Sequence, residues 1–187
     1  MIKVGHLIGM VFLALSISAC TTTTANDEQA TAKVTDDRTT QQKWADSNLE
    51  FEAAALSNNP TYKGKTRIAA SAYRGTVLLF GQANTEELQQ QFANDVEKVK
   101  GVNEVRNQVR VKPALTISQI STDSWITAKV KTALIQNKSL NGVNIKVITE
   151  DREVFLLGYV DRESASIAAN VASNVEGVNQ VIKAFVL

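Results

Sequence analysis

From residue 44 onward the hydrophobic positions change period in a fixed order, and they do so twice. Residues 48–58 and 124–137 have helical spacing; in the second, Ile126, Val130, Ala133 and Leu134 stand at i, i+4, i+7 and i+8, on one helix face. Residues 66–72 and 76–82, around Tyr73-Arg74-Gly75, are apolar, β-branched runs split by a polar turn, and so are residues 145–149 and 153–158 around Glu150-Asp151-Arg152. Each pair predicts a hairpin. A second helix follows each hairpin. In the first unit Asn84 is its expected cap, with Glu87 at the capping-box position, and Leu88, Phe92, Val96 and Val99 form its buried stripe. Its counterpart over 161–175 uses the smaller Ala165, Ala168, Ala169 and Ala172, which predicts closer helix-to-sheet contact. Gly101 and Gly177 fit the left-handed residue that ends a helix, and last strands follow over 105–111 and 181–186. The order is α-β-β-α-β. A helix that leaves the second strand and returns as the third makes a parallel crossover beside an antiparallel hairpin. The expected fold is therefore α+β, with a mixed three-stranded sheet and two helices on one face in each unit.

The two units are copies of one another. Val77-Leu78-Leu79-Phe80-Gly81 matches Val154-Phe155-Leu156-Leu157-Gly158 at an offset of 77, and Gly101-Val102-Asn103-Glu104-Val105 matches Gly177-Val178-Asn179-Gln180-Val181 at 76. Ala55-Leu56 and Ala133-Leu134 correspond at 78. Landmarks in one order at near-constant spacing define an internal repeat. The expected boundaries are 44–112 for the first unit, 113–121 for an uncharged linker and 122–187 for the second unit. Residues 20–43 are rich in Thr, Asp, Gln and Ala and lack the apolar surface that would offset ordering, so they read as a flexible tether reaching on the order of 25 Å.

Residues 1–19 have a basic start at Lys3, an apolar run from Leu7 to Ile17 and then small residues. That is signal-peptide architecture, since a membrane span needs about 20 apolar residues. Ile17-Ser18-Ala19-Cys20 resembles a bacterial lipobox, which would make Cys20 the acylated first residue of the mature chain and send it, with Thr21 following, to the outer membrane. A plain secretory signal with a coincidental Cys is the alternative.

Charge and rare residues then narrow the chemistry. The chain of 187 residues has 20 Lys plus Arg against 19 Asp plus Glu, no excess to neutralise a phosphate backbone, and so no nucleic-acid partner is expected. The single His is His6 and the single Cys is Cys20. Without residues 1–19 there is no imidazole base, and with Cys20 acylated there is no thiolate nucleophile or thiolate zinc site. No enzyme activity, cofactor or metal is expected. Glu86 and Glu87 belong to a helix start, and Glu150, Asp151 and Glu153 to a hairpin turn, which are structural roles for carboxylates. Lys63, Lys65, Arg67 and Arg74 form a basic group around the first hairpin, read as a solvated face with lipid or an acidic partner as alternatives. The isolated glycines make no phosphate loop. Trp44 is expected to pack at the edge of the first unit.

The repeat supplies an internal control for the first helices. The helix of the first unit carries Asp46, Glu50 and Glu52, whereas that of the second carries Lys129, Lys131 and Lys138 against Asp123. Only the second is expected to be drawn to an anionic surface. At about 100° per residue Trp125 points about 125° away from the core stripe, with Lys129 on the next turn, and Ile135 also lies off that stripe. Two readings stay open: Trp125 sits at a bilayer's headgroup level beside the lysines, or it folds back as a staple over the helix start.

The element order, the V-x-L-x-G strand end around Val77 and the G-V-x-x-V turns at Gly101 and Gly177 resemble the BON domain, across both units. Two such units behind a lipobox resemble the dual BON-domain lipoproteins of the bacterial outer membrane, most closely at Asp123-Ser124-Trp125-Ile126-Thr127-Ala128-Lys129-Val130. The resemblance implies a lipid-anchored protein on the periplasmic face of the outer membrane, and a monomer is expected. It implies binding to anionic phospholipid such as phosphatidylglycerol or cardiolipin, support of membrane integrity, enrichment at division sites, and a link to the outer-membrane protein assembly machinery. The residues expected to meet lipid are Trp125, Ile126, Lys129, Val130, Lys131, Leu134 and Ile135. Val130 and Leu134 also lie on the core stripe. The competing expectation is a protein-docking module whose membrane attachment is Cys20 alone.

Overall fold

The computed structural model of the chain describes residues 36 and 38–185. The segment read as a signal peptide, Cys20 and most of the expected tether lie outside the described residues. The elements are α1 (Thr40–Leu56), β1 (Thr66–Tyr73), β2 (Thr76–Ala83), α2 (Glu86–Glu97), β3 (Glu104–Val111), α3 (Ile117–Gln136), a 3-10 turn at Lys138–Leu140, β4 (Lys146–Glu150), β5 (Glu153–Leu157), α4 (Arg162–Ser173) and β6 (Gln180–Lys183). In each repeat the middle strand pairs antiparallel with its hairpin partner and parallel with the strand after the helix, in the orders β1-β2-β3 and β4-β5-β6. This is the α+β, twofold α-β-β-α-β arrangement that the hydrophobic periods predict.

Both first helices begin earlier than those periods suggest, and for one reason. Thr39 accepts a hydrogen bond from the Gln42 N–H while the Gln42 side chain accepts from the Thr39 N–H, and Thr116 and Gln119 do the same. Each T-x-x-Q is a capping box that starts a helix one to two turns ahead of the first buried position. The start of α1 therefore takes in residues 40–43 of the expected tether, and α3 takes in 117–121 of the expected linker. Arg38, also in the expected tether, donates to Asp46 at 2.7 Å and lies 4.0 Å over the Tyr73 ring. In α2 the cap is Thr85, not Asn84: the Thr85 hydroxyl accepts from the Leu88 N–H.

The apolar runs of the central strands are continuous because both of their faces are buried. Val77 and Leu79 of β2 face α1 and α2, in a core with Leu49, Ala53, Phe92 and Val96. Val154 and Leu156 of β5 face α3 and α4, in a core with Ile126, Val130, Ala168 and Ala172. The alternate residues Leu78, Phe80, Phe155 and Leu157 form a third core in which the two sheets meet face to face, with the Phe80 and Phe155 rings 5.6 Å apart. Burying each such side chain contributes about 1.5–3 kcal/mol. Leu78 and Phe155, and likewise Phe80 and Leu157, are repeat equivalents at an offset of 77. The same face of the repeat is used twice, self-complementarily, as in a twofold dimer interface.

Charged residues ring this third core. Glu150 accepts from Arg67 and, at 2.7 Å, from Gln82; Glu153 accepts from both Nε and a terminal nitrogen of Arg110; Asp151 pairs with Lys112. The guanidinium of Arg74 lies over the rings of Tyr73 and Tyr159. Of the basic group expected to be a solvated face, Arg67 and Arg74 thus meet residues of the second repeat, and the acidic partner of Arg67 is the second hairpin. Lys63 and Lys65 are exposed as expected.

Candidate functional site

Helix α3 is buried on one side and bare on the other. Ile126, Val130 and Leu134 lie in the second core, as the stripe predicts, while Ala133 is half-buried. Opposite them Ile117, Trp125 and Ile135 are 84%, 67% and 79% exposed. At about 100° per residue, Ile117, Ser121, Ser124, Trp125, Ala128, Lys131, Thr132 and Ile135 fall within about 120° of arc. All eight are exposed, and the only ionic group among them is Lys131. With a rise of about 1.5 Å per residue the face runs about 27 Å from Ile117 to Ile135.

The hydroxyls on this face are satisfied within the helix. Ser121 donates to the Ile117 carbonyl at 3.0 Å, Ser124 to Ile120 at 3.0 Å and Thr132 to Ala128 at 2.9 Å. A hydroxyl whose proton is held by its own helix loses less when water leaves, so the face behaves as more apolar than its composition. At the rim, Lys129 lies 3.4 Å from Glu176, which is 95% exposed, an ion pair too solvated to hold the ammonium strongly.

The candidate lipid-contacting residues thus divide. Trp125, Lys129, Lys131 and Ile135 are on or beside the bare face. Ile126 and Val130 are inside the core and cannot touch a surface while the unit is folded; Leu134 is also a core residue, and its edge reaches a groove beside the helix. Trp125 does not fold back as a staple. Ile117 was missed in the sequence because it precedes the apolar period and reads as linker; Thr116-x-x-Gln119 was the available signal.

The other first helix is different. Trp44 and Phe51 of α1 are 67% and 73% exposed, and Trp44 therefore does not pack at the domain edge as expected. Helix α1 begins at Thr40, and its turns place Trp44 opposite the buried Asp46, Leu49 and Ala53. Lys43 pairs with Asp36, and Glu50 is drawn inward to Ser71, the Ala72 N–H and Lys146, so this face has aromatics and amides without a row of cations.

Two buried carboxylates tie these helices to their sheets. Asp46 accepts from the N–H groups of Arg74 and Gly75, both at 2.9 Å, and Asp123 from those of Asp151 and Arg152 at 2.7 and 2.8 Å. The hairpin turns they hold have left-handed backbone, with φ of 49° at Arg74, 53° at Asp151 and 63° at Arg152. The pair stands at the repeat offset of 77 and was legible in that way. Below α1, Asp36 titrates well under the usual carboxylate range because Arg38 hydrogen-bonds to it. Burial, with the nearby Asp36 charge, pushes Tyr73 up to about 12.

One cluster has the residue types of a Ser-Lys hydrolase. The Lys146 Nζ lies 2.8 Å from the Ser71 Oγ, which lies 3.0 Å from a Glu50 carboxylate oxygen. The chemistry runs the wrong way for catalysis: the ammonium donates to Ser71 and pairs with Glu50, so neither Lys146 nor Ser71 is set up as base or nucleophile. Among the described residues no group of His, Cys, Asp and Glu is placed to hold a metal ion, and no helix is long and apolar enough to cross a membrane.

Comparison with known proteins adds to this geometry. The family model for the BON domain matches residues 45–113 and 122–187. The chain is 37% identical over 171 residues to the outer membrane lipoprotein DolP of Haemophilus influenzae, covering 90% of this chain and 89% of that protein. It is 42% identical over 134 residues to the 21 kDa hemolysin of Actinobacillus pleuropneumoniae, covering 72% of this chain and 69% of that protein. Osmotically-inducible protein Y of Escherichia coli is 39% identical over 66 residues, covering 35% of this chain and 33% of that protein.

Proposed function

Because the chain belongs to the BON domain family, as a two-domain member related to outer-membrane lipoproteins, we propose that it is a non-enzymatic protein that binds anionic phospholipid through the bare face of α3. In this reading Cys20 carries the lipid anchor, and the protein supports outer-membrane integrity from the periplasmic side, at division sites. The observation that carries the proposal is the chemistry of that face: three large apolar side chains, hydroxyls satisfied within the helix, and Lys131 and Lys129 available to phosphate. Trp125 and Ile135 enter the interfacial region while the lysines meet headgroups such as those of phosphatidylglycerol or cardiolipin. Such contacts are weak singly, and the tether keeps the local concentration high.

The test is co-sedimentation of residues 21–187 with vesicles containing or lacking phosphatidylglycerol, alongside Trp fluorescence. The wild type should bind only anionic vesicles with a blue shift, and Trp125→Ala should lose about tenfold in affinity with its melting temperature unchanged. No binding by folded wild-type protein would sink the reading.

The exposed Trp44 and Phe51 favour a second reading for the first unit, docking on a protein of the outer-membrane assembly machinery. An aromatic face with the exposed Glu52 beside it and no row of cations has little to offer a phosphate headgroup and suits a protein surface. It predicts that Trp44→Ala with Phe51→Ala abolishes co-purification of an assembly factor and leaves vesicle binding intact.

A further inference from the structure

Next to the end of the bare face, an apolar groove opens between α3 and the first strand of the second sheet. Leu134, Leu140 and Val147 form its floor, Ile135, Val143 and Ile145 its walls, and Lys131 stands at its rim, with no acidic residue in the lining. Its volume is 290 Å³, at the small end of ligand pockets and room for a single chain, not a whole lipid. The first repeat shows how the groove arises. At the place of Leu140 it has Tyr62, buried and edge-on to Phe92 at 5.0 Å. A ring fills the first unit where the second has the leucine of the groove floor.

We propose that this groove takes one acyl chain of a bilayer phospholipid, drawn up out of the leaflet while its phosphate stays at Lys131. The inference rests on the α3 reading above and adds to it a binding site with defined walls. Three features commit the groove to this occupant. It is continuous with the bare face through Ile135 and Lys131, which belong to both. Its lining is apolar apart from Lys131 and Asn141, which suits a hydrocarbon chain and offers a peptide backbone few partners. The cation is at the mouth and the floor is the hydrophobic core, the order of charge and hydrocarbon in a phospholipid.

The experiment uses the full lipidated chain in vesicles of phosphatidylethanolamine and phosphatidylglycerol, with a photoreactive diazirine either in the phosphatidylglycerol headgroup or at the end of its acyl chain. Peptide mass spectrometry then maps the adducts. The headgroup probe should label α3 around Trp125 and Lys131, and the chain-end probe should concentrate at residues 140–147. Leu140→Tyr, which restores the first repeat's residue, should cut chain-end labelling of 140–147 about fivefold and leave headgroup labelling unchanged; Val143→Trp, at a half-buried wall, does the same if the tyrosine is not tolerated. Chain-end adducts spread evenly along α3, or undiminished in the filled variants, overturn the groove while headgroup labelling keeps the α3 reading in place. Absence of both kinds of adduct overturns both.

Discussion

Asp46 and Asp123 carry more of the architecture than their single charges suggest. Each presents two carboxylate oxygens to two consecutive N–H groups of a turn whose left-handed residues cannot be paired by a strand. Asp123→Ala leaves both turn donors without their acceptor, at a cost of about 2–4 kcal/mol in urea unfolding. Asp46→Ala also strips Arg38 of a partner, so its loss should be larger, while Asp123→Asn, which keeps one acceptor oxygen, should cost less. A neutral result for Asp123→Ala would mean water satisfies the turn. The acid limb has a sign of its own. Asp36, hydrogen-bonded by Arg38, and Asp95, hydrogen-bonded by Tyr62, are both held below the ordinary carboxylate value of 3.8. A depressed folded value means stability that is fully present above the unfolded value and is lost as pH falls through the folded one. Melting temperature should therefore stay flat on this account from neutrality to about pH 4 and decline below it, with Asp36→Asn declining less steeply.

At the scale of the element, α3 is two helices in one sequence, a core stripe and a bare face with different rules. Ile117 should contribute to membrane contact as an exposed side chain: Ile117→Ser is expected to cost about 1 kcal/mol of vesicle affinity, roughly fivefold, with no change in melting temperature. Ile126→Ser should do the opposite and unfold the unit. Equal effects of Ile117→Ser on both measurements would place Ile117 in the fold's own packing. The same helix shows what a sequence can reveal. Ile126, Val130 and Leu134 announce themselves because burial imposes a period, and the hairpins do so because polar turns interrupt apolar runs. The helix start does not, since Thr116 to Thr122 includes no fully buried residue to extend the period. Trp125 and Ile135 were legible as departures from the stripe. Their arrangement with Ile117, Ser121 and Thr132 needed the helix's true beginning. The groove was hidden because it is a difference in volume between Tyr62 and Leu140, and volume has no period.

For the whole molecule the deciding feature is the core between the sheets. The run Val77-Leu78-Leu79-Phe80 already carried the signal, since a sheet with helices on one face and water on the other would alternate. What the run could not say was which surface covered its second face, because the partner lies 77 residues away in the same pattern. Phe155→Ala removes a ring from this shared core and should lower stability by about 3–5 kcal/mol. Amide exchange should quicken in β2 as well as in β5; protection lost only in the second unit would show that the repeats are stable independently.

That shared core has an evolutionary corollary. Two separate copies of one unit, joined through like faces, would be bound to show identical outer helices, and any change on one would appear on both. Writing the pair into a single polypeptide keeps the inner faces matched while releasing the outer ones from each other. Trp44 and Phe51 on one outer helix and Ile117, Trp125 and Ile135 on the other are the mark of that release: one repeated fold with two unlike helices, free to specialise without a second gene and at any cellular concentration.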